Sequence, residues 1–124
     1  MKKWTRDELN KIGSAEELQI TSLRRDGTLR RQVIIWVVRI GDDLYVRSVK
    51  GRTSTWFRGV QMRHEGRIQA GGVEKDVTFL EEAGLEINEQ IDAAYHAKYS
   101  SDPSSVDLIN SLEARSATIK LMPR

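Results

Sequence analysis

The 124 residues contain no cysteine, two histidines and two prolines. Without cysteine there can be no disulfide, no thiolate metal site and no Cys nucleophile. His64 and His96 lie far apart in the chain and show no ligand spacing. A zinc site on so few imidazoles has no support. The longest apolar run is Val33 to Val38, far short of a membrane span. The start, Met1-Lys2-Lys3-Trp4-Thr5-Arg6-Asp7, lacks the apolar stretch of a signal peptide, so a cytoplasmic location is expected. Walker A, G-x-G-x-x-G and G-x-S-x-G patterns are missing. No pattern identifies a nucleophile or a general base. An enzyme built on this chain would draw its reactive centre from a bound cofactor.

What is present is ordinary for one globular domain spanning 1–124. Apolar residues make up 39% and charged residues 31%, enough for one core. The net charge is only +2, but its distribution is uneven. The stretch from Arg24 to Arg67 holds 11 basic and 4 acidic residues, a local balance of +7. Such a field attracts anions. Aromatics are only 6% of the chain, too few for the stacking platforms of single-strand binders, which argues against nucleic acid as a partner.

Local signals order the elements. Thr5 and Glu8 form a capping-box pattern for a short helix carrying Leu9 and Ile12, with Gly13 as its stop, docked outside the body. A strand near Leu18–Leu23 precedes the turn pair Asp26-Gly27. The next strand runs from about Leu29 to Ile40 and is apolar on both faces at its middle, which predicts a covered central strand. Gly41-Asp42-Asp43 turns the chain into an alternating strand, Leu44–Val49. Thr53 or Ser54 caps a helix bearing Trp56, Phe57 and Val60, ended by Gly66. Two strands, 67–70 and 73–80, meet at Gly71-Gly72. Asn88 is read as the cap of a helix over 89–99, on whose surface Asp92 and His96 pair at i, i+4. Asp102-Pro103 starts another helix, with Val106, Ile109 and Leu112 on its core side. A last strand covers 117–122 before Pro123. Strands joined by tight turns favour an antiparallel sheet, hence an α+β domain that closes its edges as a barrel.

The strongest constellation for chemistry is the run from Arg47 to Arg58: a strand, a glycine turn and a capped helix. A helix start offers free backbone N–H groups and the positive end of the dipole. Lys50 and Arg52 add charge; Thr53 and Ser54 add hydroxyls. The combination suits a phosphate or other small anion. Read plainly, the same residues also make a polar strand-to-helix connection. Arg30 and Arg31 lie across from this run if sheet order follows the chain, either facing the same pocket or facing water. Trp36 and Trp56 are candidates to flank a planar ring, with Trp36 the better candidate for a core residue.

The stretches Gln32–Arg39, Asp43–Ser48, Gly51…Trp56-Phe57-Arg58 and Ile91-Asp92-Ala93-Ala94-Tyr95-His96-Ala97-Lys98-Tyr99, closing with Ala117-Thr118…Pro123-Arg124, resemble an uncharacterised bacterial domain family. That family is similar to the deazaflavin-dependent nitroreductases and, more distantly, to the FMN-binding split β-barrels of the pyridoxamine phosphate oxidase type. The resemblance implies a mostly antiparallel six-stranded split barrel with peripheral helices. It implies a homodimer with FMN or a deazaflavin near the subunit interface, and hydride transfer to a small acceptor. Phosphate-holding positions carried over are Arg47, Ser48, Lys50, Arg52, Thr53 and Ser54, with Arg31 added from the opposite strand. Trp56 matches a Trp that follows the glycine turn in the deazaflavin group. That group carries Asn soon after this Trp and then Asn-Pro, where this chain reads Arg58-Gly59 and Arg63-His64-Glu65-Gly66. The cofactor's identity is therefore open, as is the alternative of a non-catalytic module holding an anionic metabolite or partner on the same basic pocket.

Overall fold

A computed structural model describes residues 2–124. In chain order the elements are α1 (Arg6–Ser14), β1 (Leu18–Ser22), β2 (Val33–Ile35), β3 (Val37–Ile40) and β4 (Asp43–Arg47). A 3-10 turn (Gly51–Thr53) leads into α2 (Thr55–Met62), β5 (Glu65–Ala70) and β6 (Val73–Glu81). Then come α3 (Leu85–Lys98), α4 (Pro103–Ile109), α5 (Leu112–Arg115) and β7 (Thr118–Pro123). The α+β class is as expected, but the strand count is seven, in the order β2-β1-β5-β6-β7-β4-β3 with every pair antiparallel.

The extra strand comes from a break in the segment read as one central strand over Leu29–Ile40. β2 and β3 occupy the two opposite edges of the sheet, and only Trp36 separates them. The chain thus rolls the sheet into a nearly closed barrel at this joint. Val37 and Val38 are buried, while Ile34 is 60% exposed. The apolar run is therefore not a strand covered on both sides. β3 is covered on both faces, Val37 by the barrel core and Val38 by the helix layer, whereas β2 buries only Val33 and Ile35, against the barrel core. Carbonyl groups at the break must find donors, and α3 supplies them. Tyr95 Oη donates to Trp36 O (3.1 Å) and Lys98 Nζ to Val37 O (2.6 Å), while Tyr99 Oη donates to Glu16 O (2.6 Å) and lies 3.3 Å from Val37 O. The Trp36 indole stacks on the Tyr99 ring, centroids 3.8 Å apart and planes 5° from parallel.

Two apolar layers result. One fills the barrel and includes Leu18, Ile20, Val46, Phe57, Ile68, Phe79, Ile119 and Leu121. Leu9 and Ile12 of α1 belong to this same cluster, so α1 contributes to the barrel core and does not merely dock outside. Its capping box forms in both directions, Thr5 Oγ1 accepting from Glu8 N and Glu8 Oε1 from Thr5 N. The second layer lies between α3, α4 and the outer face of β3 and β4, with Val38, Tyr45, Ile91, Tyr95, Val106 and Ile109.

Several expected boundaries move for identifiable reasons. Gly13 lies inside α1, packed beneath the Arg39 side chain, and Ala15 is the C-cap. α2 stops at Met62; Gly66 is a residue of β5, where an added Cβ would collide with the Thr21 carbonyl oxygen. Neighbouring backbone, not helix termination, explains that glycine. α3 begins at Leu85 with Gly84 as its cap, and Asn88 sits buried inside it. Leu112 opens α5 and is 82% exposed, so it is not a core residue. Asp26-Gly27 does turn the chain, with Gly27 at φ +88, but only the bridge Leu23–Leu29 flanks it and β2 starts later. The Gly71-Gly72 hairpin forms, Ala70 opposite Val73. Among the described residues no helix is long and apolar enough to cross a membrane.

Candidate functional site

A cleft of about 750 Å³ opens beside the β2–β3 joint, within the range of small-molecule sites. One wall is Val33–Trp36. The end of β4 (Arg47, Ser48) and the following turn form another side, continuing through Thr53, Ser54, Thr55 and Trp56 at the start of α2. α4 closes the third side with Ser105, Leu108 and Ile109. Among the described residues lining it, none is Asp, Glu, His, Met or Tyr, and the cations are Arg47 and Lys50.

The structure separates the sequence candidates into three groups. Ser48, Lys50, Thr53, Ser54 and Trp56 all reach the cleft. Ser54 is the N-cap of α2: its Oγ accepts from Phe57 N (3.4 Å) and lies 2.7 Å from Ser48 Oγ. The expected choice between Thr53 and Ser54 thus resolves to Ser54. Thr53 Oγ1 instead donates to Lys50 O (3.2 Å), which holds the turn. Gly51 lets that turn form. Its φ of +73 is left-handed, and a Cβ there would meet Glu113 Cγ at 2.8 Å. Lys50 is exposed and, among the described residues, has no carboxylate within ion-pair distance.

Arg47 borders the cleft but is committed to the protein. It is 1% exposed, the largest fully buried side chain. Nε donates to Thr118 Oγ1 (3.0 Å). Nη1 reaches Asp92 Oδ1 (2.6 Å), Asn110 Oδ1 (3.1 Å) and Ile109 O (3.2 Å); Nη2 reaches Asn88 Oδ1 (2.8 Å) and Asn88 O (3.1 Å). All five N–H directions of the guanidinium therefore find internal acceptors. Burial lowers its pKa and the Asp92 hydrogen bond and charge oppose that, but a guanidinium remains a cation throughout. Its Cζ lies 5.6 Å from the Tyr95 ring centroid. Asp92 also receives Arg115 (3.5 Å), so two cations share one carboxylate behind the cleft floor. The expected surface pairing of Asp92 with His96 gives way to these arginines; His96 is exposed.

Arg52 and Arg31 do not line the cleft. Arg52 donates to Ser116 O (2.8 Å), pairs with Glu81 (2.9 Å) and covers the Phe57 ring at 5.2 Å. Arg31 is exposed just before β2. Arg30 lies against α2: its Nη2 is 3.6 Å from Met62 Sδ, and its Nε is buried with no hydrogen-bond partner. Both tryptophans line the cleft, Trp36 backed by Tyr99 and Trp56 edge-on to Phe57 (79°).

Sequence reasoning did not find Asn88, Asp92, Asn110 and Thr118, the acceptors that fix Arg47. The available signal was spacing: Asn88, Asp92, Tyr95 and Tyr99 recur at helical intervals and put polar and aromatic groups on one face of α3.

This sheet order, with a broken edge strand beside a polar-footed cleft, is that of a split β-barrel. The chain belongs to a family of uncharacterized proteins conserved in bacteria, DUF2255, whose model matches residues 8–121. No curated protein matches it. A putative pyridoxamine 5′-phosphate oxidase from Listeria innocua superposes with a TM-score of 0.65 at 18% identity, covering 94% of this chain and 90% of the other. An F420-H2-dependent reductase gives 0.63 at 17% identity, covering 86% and 93%. The heme storage protein HutZ from Vibrio cholerae gives 0.70 at 12% identity, covering 96% and 89%. At these identities the likeness is one of fold. The fold therefore hosts a putative oxidase, an F420-H2-dependent reductase and a heme storage protein alike, and the site must discriminate among such functions.

Proposed function

We propose that this protein binds a flavin-type cofactor, FMN or a deazaflavin, in the cleft and acts as an oxidoreductase on a small acceptor. One observation carries the reading. Ser48, Lys50, Thr53 and Ser54 converge at the N-terminal end of α2, on one side of an otherwise largely apolar cleft free of carboxylates.

Each group has a role that follows from its place. The Lys50 ammonium and whichever of the Ser48 and Ser54 hydroxyls is not donating to the other would donate to a phosphate, and the N–H groups of Thr55 and Trp56 at the first turn of α2 would reinforce them. Arg47, neutralised only in part by the shared Asp92, adds positive potential from beneath without touching the ligand. Trp36, Trp56 and Ile34 exclude water from a planar ring. When bound, the ring supplies hydride transfer. The residues fit this group better than heme, since the usual axial ligands His, Cys, Met and Tyr do not line the cleft among the described residues. A homodimer with the cleft near the interface accords with the exposed Ile34, Val49 and Leu108 at its rim.

A second reading keeps the cleft but not the turnover. Among the described residues its lining holds no His, Asp or Glu to serve as an acid or base, so a module retaining an anionic metabolite would look the same. An absorption spectrum and mass analysis of material copurifying with the native protein separates the two. A yellow or deazaflavin-like chromophore supports the oxidoreductase. A colourless protein that takes up neither cofactor on titration refutes it.

A further inference from the structure

A second, smaller cleft of about 380 Å³ shares no lining residue with the first. It opens between the segment before α1, the turn from β3 to β4 and the end of β7. Buried Trp4, Leu9 and Pro123 make its apolar floor. Its charged lining sets four cations, Lys2, Lys3, Arg6 and Arg39, against one carboxylate, Asp42. The neighbouring acids do not neutralise it, because each already holds another cation: Asp7 holds Lys11, Glu8 holds Lys75 and Asp43 holds Lys120. Among the described residues none of the four lining cations has a carboxylate within ion-pair distance.

The backbone under these groups is fixed. Trp4 Nε1 donates to Leu121 O (3.0 Å), which pins the segment to β7, and the Thr5 capping box sets the first turn of α1. Arg39 is fixed as well. Its side chain packs across Gly13, Nε donates to Gly41 O (2.7 Å) and Nη1 to Asn10 Oδ1 (2.7 Å). A guanidinium has five N–H groups, so three remain for a ligand, whereas in Arg47 none does. We infer that this cleft is a second anion site, one that takes a diphosphate group. The balance of charge selects that ligand. A single carboxylate would leave most of the positive lining unmatched. A diphosphate carries about three negative charges near neutral pH, on oxygens that accept from guanidinium and ammonium groups together. The oriented Arg39 fork fixes its position, and Lys3 and Arg6 supply the field around it.

The probe is pyrophosphate, titrated at constant ionic strength and followed by residue-resolved amide and indole NMR shifts. The Ser48–Lys50 foot also attracts anions, and residue resolution separates the two clefts. Signals of Trp4, Arg39 and Asp42 report this one; those of Ser48, Lys50 and Trp56 report the other. The first set is expected to shift saturably at millimolar pyrophosphate or below, and to do so equally in Lys50→Ala. Lys3→Ala with Arg6→Ala, both exposed, lowers the affinity read there about tenfold, and Asp42→Asn raises it about threefold. Damage to the fold cannot produce that gain. Adenosine diphosphate run alongside distinguishes the sources of the group: tighter binding than pyrophosphate marks a nucleotide, equal or weaker binding the free anion. No saturable shift in the first set, a shift matched by sodium chloride at the same ionic strength, or an affinity unchanged in either charge variant would overturn the inference. Shifts confined to Ser48, Lys50 and Trp56 would overturn it too while leaving the cofactor reading intact, so the two fail separately.

Discussion

Replacing Arg47 by Ala should destabilise the fold far more than any other change at the cleft, because its role is to brace the protein. The substitution strips Asn110 Oδ1 and the Asn88 and Ile109 carbonyls of their Arg47 donor, leaves Asn88 Oδ1 with Thr118 alone and Asp92 with Arg115 alone, and empties space in a fully buried layer. Removing one partner of a buried ion pair costs about 3–5 kcal/mol. Asp92 keeps Arg115 and some solvent, which pulls the figure to the lower half of that range. With a urea slope of about 1.5–2 kcal/mol per M for a domain of this size, the midpoint should fall by about 2 M. Urea melts followed by tryptophan fluorescence read it, since Trp36 sits on Tyr99 and Tyr95 beside Arg47. Arg47→Lys should recover only part of the loss, because an ammonium has three donors and no planar fork. A midpoint shift below about 0.5 M would show that Arg47 is not a brace and would return it to the ligand-binding set.

Gly51→Ala should cost more than 1 kcal/mol, since the positive φ and the contact with Glu113 both oppose a side chain; thermal melts check it. Lys98 is pushed down from an ordinary 10.5 to about 8 by desolvation, with only carbonyl and ring contacts around it. A base with a lowered folded pKa binds fewer protons folded than unfolded between those values, so stability should rise with pH from about 8 towards 10. Solvent screening at this half-exposed group holds the gain to the order of 1 kcal/mol, and Lys98→Met should flatten the slope. Above about 10 the trend reverses, because Tyr99, pushed up to about 12, ionises first in the unfolded chain. Denaturant midpoints across that pH range read both effects.

The sequence carried the local signals well and the long-range ones poorly. The capping box at Thr5, the strand pair meeting at Gly71-Gly72 and a helix cap at Thr53 or Ser54 are short-range chemistry; the first two form and the cap falls on Ser54. The apolar run Val33–Val38 reads as one strand covered on both faces, but only β3 is so covered; Ile34 of β2 lies at the exposed rim of the cleft, and an apolar residue facing a cleft looks the same in sequence as one facing a core. Nothing local marks Trp36 as the break; its cause is Tyr95, Lys98 and Tyr99, which are some sixty residues away in the chain. The same holds for Arg47. Strand alternation shows that a cation points inward, but its acceptors come from α3, α4 and β7. Arg52 was grouped with the cradle by proximity in sequence, whereas Glu81 and the Ser116 carbonyl hold it on another face. The polar foot of the cleft was legible because it is one continuous segment, Ser48 to Trp56.

The central claim is that this foot holds a cofactor phosphate. Fluorescence titration of apoprotein with FMN and with a deazaflavin, comparing wild type, Lys50→Ala and Arg52→Ala, tests it most directly. The account predicts that affinity falls by about tenfold or more on losing Lys50 and stays nearly unchanged on losing Arg52. Equal affinities in all three proteins, or a loss confined to Arg52→Ala, would contradict it.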